Sequence, residues 1–355
     1  MDQSQAKQTH PPWPACPVPI NDHGVIEVAH GGGGRKTHQL IASVFIEAFG
    51  DPLQTLGHDG AVFTPGAEQL AITTDSYVVD PIEFPGGDIG AMSVHGTAND
   101  LLMCGAQPKY LSAAFVLEAG LPLAILRRIT ASMRCAADEA GVTIVTGDTK
   151  VIQSDRGDGM TITTTGIGQV IARTPIGPAQ VSDGSAIIVS GDLGRHGIAV
   201  MCAREQLDLG NAIHSDSACL APAVLPLLDA GLPVQCLRDL TRGGLATALV
   251  EIAQSGQVDI EIDEQAVPIN ETVRGACELL GLDPLYVANE GRFIVILPED
   301  QAEHAIALLQ TTDFARDARV IGRVTQGKGN VSARTAIGTR RVIDMISGEQ
   351  LPRIC

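Results

Sequence analysis

Aromatic residues are scarce in this chain: seven Phe, three Tyr and one Trp make up 3% of 355 residues. Its core must therefore be aliphatic, built from Val, Ile, Leu and Ala. Positive charge is also short, with 24 Lys and Arg against 41 Asp and Glu, a formal net charge of −17. With no clustered basic stripe, the chain is a poor candidate for nucleic acid or an anionic membrane. No apolar run is long enough to span a bilayer and no secretory signal is recognisable, so a cytoplasmic protein is expected. None of the eight cysteines stands in a CxxC or another tight ligand pair. That argues against structural zinc and for reduced thiols.

What is present is the balance of a soluble globular protein, 45% hydrophobic and 18% charged, long enough for two domains. Residues 1–24 are polar and carry five prolines without an amphipathic period, and read as a flexible arm. Strand-like runs near 70–74, 110–117, 143–145 and 160–171 alternate with helical patterns over 39–49, 89–104 and 123–140. Pro175, Gly177 and Pro178 break the pattern. Strands near 186–190, 258–262, 292–297 and 319–324 then mix with helices over 195–206, 218–230, 244–255 and 271–280. The expectation is an α/β (α+β) chain: an arm over 1–24, domains over 25–174 and 175–344, and a mobile tail over 345–355.

Four acids of the first half lie beside small residues at the ends of expected elements: Asp59, Asp75, Asp100 and Asp148. One such acid alone reads as a turn or a cap. Four together read as a hard-cation site, because Mg²⁺ takes oxygen ligands and leaves room for water and phosphate. The glycine run 31–34 offers unhindered backbone N–H groups to phosphate, although no GK[ST] follows at P-loop spacing. Lys36 and Lys150 are the cations nearest these motifs. In the second half, Arg238, Asp239 and Arg242 precede a helix start, and Glu290 stands on a turn before a strand, where a tuned carboxylate serves as a general base. The first group reads equally well as a polar helix cap, and Glu290 taken alone is more often a surface turn.

The last residue, Cys355, cannot be a core residue. Its own α-carboxylate disfavours the thiolate and Arg353 partly offsets that. Ten extended residues reach roughly 33–36 Å, enough to swing between two active sites.

Taken together, His30–Gly34, Thr73–Pro81, Gly96–Asp100, Val145–Val151, Thr241–Gly244, Asn289–Gly291 and the ending Pro352-Arg353-Ile354-Cys355 resemble the HypE family of hydrogenase maturation proteins. These are the carbamoyl dehydratases of [NiFe]-hydrogenase assembly. The resemblance covers residues 26–355, with Gly32 standing where the family usually has serine. It implies the two-domain fold of the aminoimidazole ribonucleotide synthetase and selenophosphate synthetase superfamily, and a homodimer formed through the N-terminal halves with ATP near that interface. It further implies that Gly32, Gly33, Lys36, Asp59, Asp75, Asn99, Asp100 and Asp148 hold ATP. Magnesium would fall to Asp59, Asp75, Asp100, Asp148 and Asp239. The implied reaction loads a carboxamide onto Cys355 from a carbamoyltransferase and dehydrates it with ATP to a thiocyanate. Glu290 and Lys150 assist, and the cyanide passes to iron on a partner scaffold complex. Apart from the resemblance, the residues leave open a relative that phosphorylates a free small molecule, or a non-enzymatic assembly scaffold.

Overall fold

A computed structural model describes residues 34–42, 58–66, 68–154, 157–207, 213–345 and 354. The chain enters it through helix α1 (Arg35–Leu40). The first sheet is built from β1 (Ala61–Phe63), β2 (Leu70–Tyr77), β5 (Ala106–Glu118), β6 (Thr143–Ile152) and β7 (Met160–Val170); β3 (Glu83–Phe84) and β4 (Gly87–Asp88) form a small separate hairpin. Its strand order is β1-β2-β7-β5-β6, antiparallel except for β5 and β6. That parallel pair is joined by helix α3 (Leu123–Ala140), because parallel neighbours need a long crossover. Gly141, at φ +67°, ends this helix in the left-handed conformation.

Helix α2 (Ile89–Met103) shows why the sequence looked unusual here. Asp88 caps it by accepting from the N–H groups of Gly90 and Ala91. Nearly all of its residues are buried, so it is not a surface helix with one apolar stripe but the central post of the molecule. Small residues let its neighbours come close: Gly96 lies directly against the Tyr77 hydroxyl, where any Cβ would collide.

The chain leaves the first sheet at Val170 and enters the second at Ser185. The second sheet holds β8 (Ser185–Val189), β9 (Cys236–Asp239), β10 (Val258–Asp263), β11 (Phe293–Pro298), β12 (Arg319–Gln326), β13 (Val331–Arg334) and β14 (Arg340–Ile343). The order is β14-β13-β10-β12-β8-β11-β9. β8 and β11 are buried at almost every position, which explains their unbroken apolar runs: both faces are covered. Helices α4 (Arg195–Arg204), α5 (Ala221–Asp229), α6 (Gly244–Gly256), α7 (Glu271–Leu280) and α8 (Ala302–Leu309) complete this half.

One apolar core runs through both halves, from Ile89, Met92 and Ile129 to Leu227, Phe293 and Val295. Phe293 is the one aromatic among the largest fully buried side chains; the others are Ile, Leu and Met. The continuity fixes α2 against the second domain, and the functional groups gather along that junction.

Two expectations need correction. β9, α8, β13 and β14 were not foreseen, because each is short and its apolar pattern does not stand out. The helix expected over 39–49 is a helix over Arg35–Leu40, and residues 43–49 lie outside the described residues. Within the expected tail, Ile354 is buried, only 3% exposed, and residues 346–353 and 355 lie outside the described residues.

Candidate functional site

Three carboxylates from three elements meet at the junction. Asp59 precedes β1, Asp100 occupies the last turn of α2 and Asp239 ends β9. One oxygen from each lies within 4.8 Å of the others. Thr73 on β2 ties two of them together: its hydroxyl is 2.7 Å from Asp100 Oδ2 and 3.0 Å from the Asp59 carbonyl. On the other side Arg238 reaches Asp59 Oδ1 at 2.8 Å and Glu251 Oε2 at 2.5 Å. Glu251 also takes His38 Nε2 of α1 at 2.7 Å.

Burial dominates the electrostatics. It pushes Asp59 up to about 7 and Asp239 to about 8; Arg238 opposes both, while Glu251 and Asp75 add to the rise at Asp59, and Asp59 and Asp75 to that at Asp239. Asp100 is raised well above the usual carboxylate range by burial and then by Asp75, Asp239 and Asp59. Buried arginine is disfavoured, but Asp59 and Glu251 keep Arg238 charged. Asp59 Oδ2 is buried and has no hydrogen-bond partner. Clustered hard oxygens that are costly to ionise unaided, one of them unpartnered, fit a divalent cation such as Mg²⁺.

A narrow cleft opens beside the cluster, walled by Asp75, Tyr77, Asp239, Thr241, Arg242 and Glu290. Arg242 lies 3.7 Å from Asp75 Oδ1, and the Tyr77 hydroxyl is 3.4 Å from Asp75 Oδ2. Glu290 is no surface turn: it is 3% exposed and its Oε1 has no hydrogen-bond partner. Burial, then Asp239, Asp216 and Asp75, raise it well above the usual range, and Arg242 opposes. Its backbone is strapped down. The Glu290 N–H donates to Asp216 Oδ1 at 3.3 Å, and the Ala218 N–H donates to the Glu290 carbonyl at 3.4 Å. Gly291 must be glycine here, since a Cβ would overlap the Asp216 carbonyl.

The fold thus brings together Asp59, Asp75, Asp100, Asp239 and Glu290 from the expected set. Asn99 sits beside them, but its amide is engaged in joining the domains: Nδ2 donates to the Ala218 carbonyl and Oδ1 accepts from the Leu220 N–H. Lys36 is half-buried on α1, the helix whose His38 touches Glu251. Asp148 and Lys150 are not in the cleft of their own chain. They lie 3.6 Å apart on β6 with exposed side chains, and Asp148 lines a separate groove between α3 and β6. Gly32, Gly33 and Cys355 lie outside the described residues. Sequence reasoning missed Thr73, Glu251, His196 and Asp216. Glu251 had a signal, a lone acid in the apolar run of α6.

Comparison with known proteins agrees with this architecture. Residues 57–170 match the model for the AIR synthase related protein, N-terminal domain, and residues 182–333 that for the C-terminal domain. This defines an AIR synthase related architecture with its acidic site at the domain junction. The carbamoyl dehydratase HypE of Cupriavidus necator is 49% identical over 95% of this chain and 97% of its own length. A crystal structure of the hydrogenase maturation protein HypE in complex with ATP is 47% identical with a TM-score of 0.79, covering 93% of this chain and all of that one. A crystal structure of a HypE–HypF complex gives 40% identity and a TM-score of 0.82 over 86% of this chain and 99% of the matched one. The chain belongs to the HypE family of carbamoyl dehydratases.

Proposed function

We propose that this enzyme carries a carboxamide on the Cys355 thiol and uses ATP to dehydrate it there to an S-cyanide. The observation that carries the reading is the docked penultimate residue. Ile354 is buried in the core shared by both domains, beside the 215–218 strap that holds Glu290. Ile354, one residue before the carrier thiol, is thus tied through His196 and Ser215 to the same strap that holds the buried Glu290.

The carboxamide comes from a carbamoyltransferase, a partnership that the HypE–HypF complex supports. ATP gives its γ-phosphate to the carboxamide oxygen, turning it into a leaving group. The nitrogen loses its first proton to water as the O-phosphorylated imidate forms; Glu290 removes the second, the C–O bond breaks as phosphate leaves, and the C–N triple bond forms. The products are the S-cyanide, ADP and phosphate, and the cyanide passes to iron on a partner complex in [NiFe]-hydrogenase maturation. Asp59, Asp100 and Asp239, with Asp75 at the rim, are the residues to hold Mg²⁺, which when bound neutralises phosphate charge. Arg242 steadies Asp75 and opposes the rise in the Glu290 pKa.

Asp148 and Lys150 enter this scheme from a second copy. β6 is the edge of the first sheet among the described residues, and its Val145 and Val151 are 58% and 67% exposed. Pairing two copies along this edge covers the apolar residues and caps an otherwise open strand. Gly32, Gly33 and Lys36 complete the nucleotide contacts, while the Asn99 amide holds the domain joint behind them. The test is Glu290→Gln. Carboxamide loading on Cys355 is expected to persist, while water loss with Mg-ATP slows by roughly 10²–10⁴-fold. Unchanged dehydration in that variant would remove Glu290 from the role.

A further inference from the structure

We propose that His196 is a positioning residue that grips the backbone of Ile354 and thereby sets where Cys355 sits for dehydration. The grip itself stands on the geometry; its consequence for dehydration rests on the carrier reading above. His196 lies in the first turn of α4, fully buried, and the mechanism makes no direct use of it.

Its ring closes a directed chain of hydrogen bonds. Nε2 lies 2.8 Å from the Ile354 carbonyl oxygen. That oxygen can only accept, so Nε2 carries the proton and Nδ1 is left as an acceptor. Nδ1 takes the hydroxyl proton of Ser215 at 2.8 Å. The Ser215 oxygen accepts in turn from the Ser217 N–H at 3.0 Å. Ser215 is itself anchored, its N–H donating to the Pro85 carbonyl at 2.8 Å. Phe84 holds the ring from the side, edge to face at 5.3 Å between centroids. Every polar atom of the chain thus has one assigned direction, and the chain ends on the tail.

Two features make this a positioning device and not merely a filled core site. The group gripped is a backbone carbonyl one residue before the carrier thiol, and adjacent Cα atoms are about 3.8 Å apart. The strap that supports the histidine is also the strap that fixes Glu290, through Asp216 and Ala218. The Ile354 carbonyl and Glu290 are therefore tied to the same short segment.

The test compares His196→Gln and His196→Asn in the full-length chain. A glutamine amide reaches the place of Nε2 and keeps a donor for the Ile354 carbonyl. An asparagine amide reaches only the Nδ1 end and loses it. The rate of Cys355 alkylation by iodoacetamide is read by peptide mass, with the exposed Cys135 of the same chain as the internal reference. Asparagine is expected to raise the Cys355 to Cys135 ratio by roughly two- to tenfold, the weight of one net hydrogen bond, and glutamine to leave it near wild type. Water loss from loaded Cys355 should slow in the asparagine variant and recover in the glutamine variant, with loading retained in both. Equal ratios in the two variants overturn the grip. If wild-type Cys355 accepts no carboxamide, the carrier reading fails, and the alkylation ratios still decide whether His196 holds the tail.

Discussion

Arg238 offers the sharpest quantitative test of the site's electrostatics. It is the one cation bonded to both Asp59 and Glu251 among the described residues, at 2.8 and 2.5 Å, with side-chain exposures of 19%, 5% and 7%. Arg238→Met keeps the stem that packs in the junction but leaves two buried carboxylates without their shared partner. Removing one member of a buried pair costs about 3–5 kcal/mol, far more than the ~0–1 kcal/mol of a surface ion pair. The double variant Arg238→Met with Glu251→Leu removes one of the stranded charges. It should be less damaged than the sum of the single variants by about 1–3 kcal/mol. Urea unfolding of the four proteins at pH 7.5, without metal, measures this directly. A loss below about 1 kcal/mol for Arg238→Met, or strict additivity in the double variant, would refute the account of Arg238 as the organising cation.

Three further outcomes follow from the same geometry. Asp100→Asn and Asp239→Asn should each weaken Mg²⁺ binding in calorimetric titration by at least about tenfold, since each removes one of the three carboxylates clustered among the described residues; unchanged affinity would place the cation elsewhere. Gly291→Ala forces a Cβ into the Asp216 carbonyl and should cost about 1–3 kcal/mol in urea unfolding, whereas Gly275→Ala, which has open space around it, should cost little. Burial holds His95 and His196 below the usual histidine value of 6.5, so the folded chain refuses protons that the unfolded chain accepts. Their contribution to stability is complete above pH 6.5 and is lost as pH falls toward their folded-state values, at up to about 1.4 kcal/mol per pH unit for each. Thermal melts between pH 7.5 and 5.5 should show this fall, and His95→Gln should flatten it; an identical slope in that variant would contradict the assignment.

Much of this molecule could be read from residue order. The long strands and α2 and α3 announced themselves by the period of their apolar residues. Asp59, Asp75 and Asp100 were visible because acids among small residues at strand and helix ends have few structural reasons to recur. Other parts were silent for a physical reason. Glu290 looks like a surface turn until β11 and the 215–218 strap bury it, and burial of a turn depends on contacts far away in sequence. His196 and Ser215 are nineteen positions apart, on a helix and a loop with no shared spacing rule. Asp148 and Lys150 stand on an exposed edge away from the cleft of their own chain, a separation that depends on how the sheet packs and not on any local spacing.

The most direct measurement is the intact mass of the full-length chain and its Cys355→Ala variant, first incubated with the carbamoylating partner and then with Mg-ATP. The account predicts a carboxamide adduct on the wild type alone, followed by loss of one water when Mg-ATP is added. An adduct that also forms on Cys355→Ala, or one on the wild type that never loses water, would contradict it.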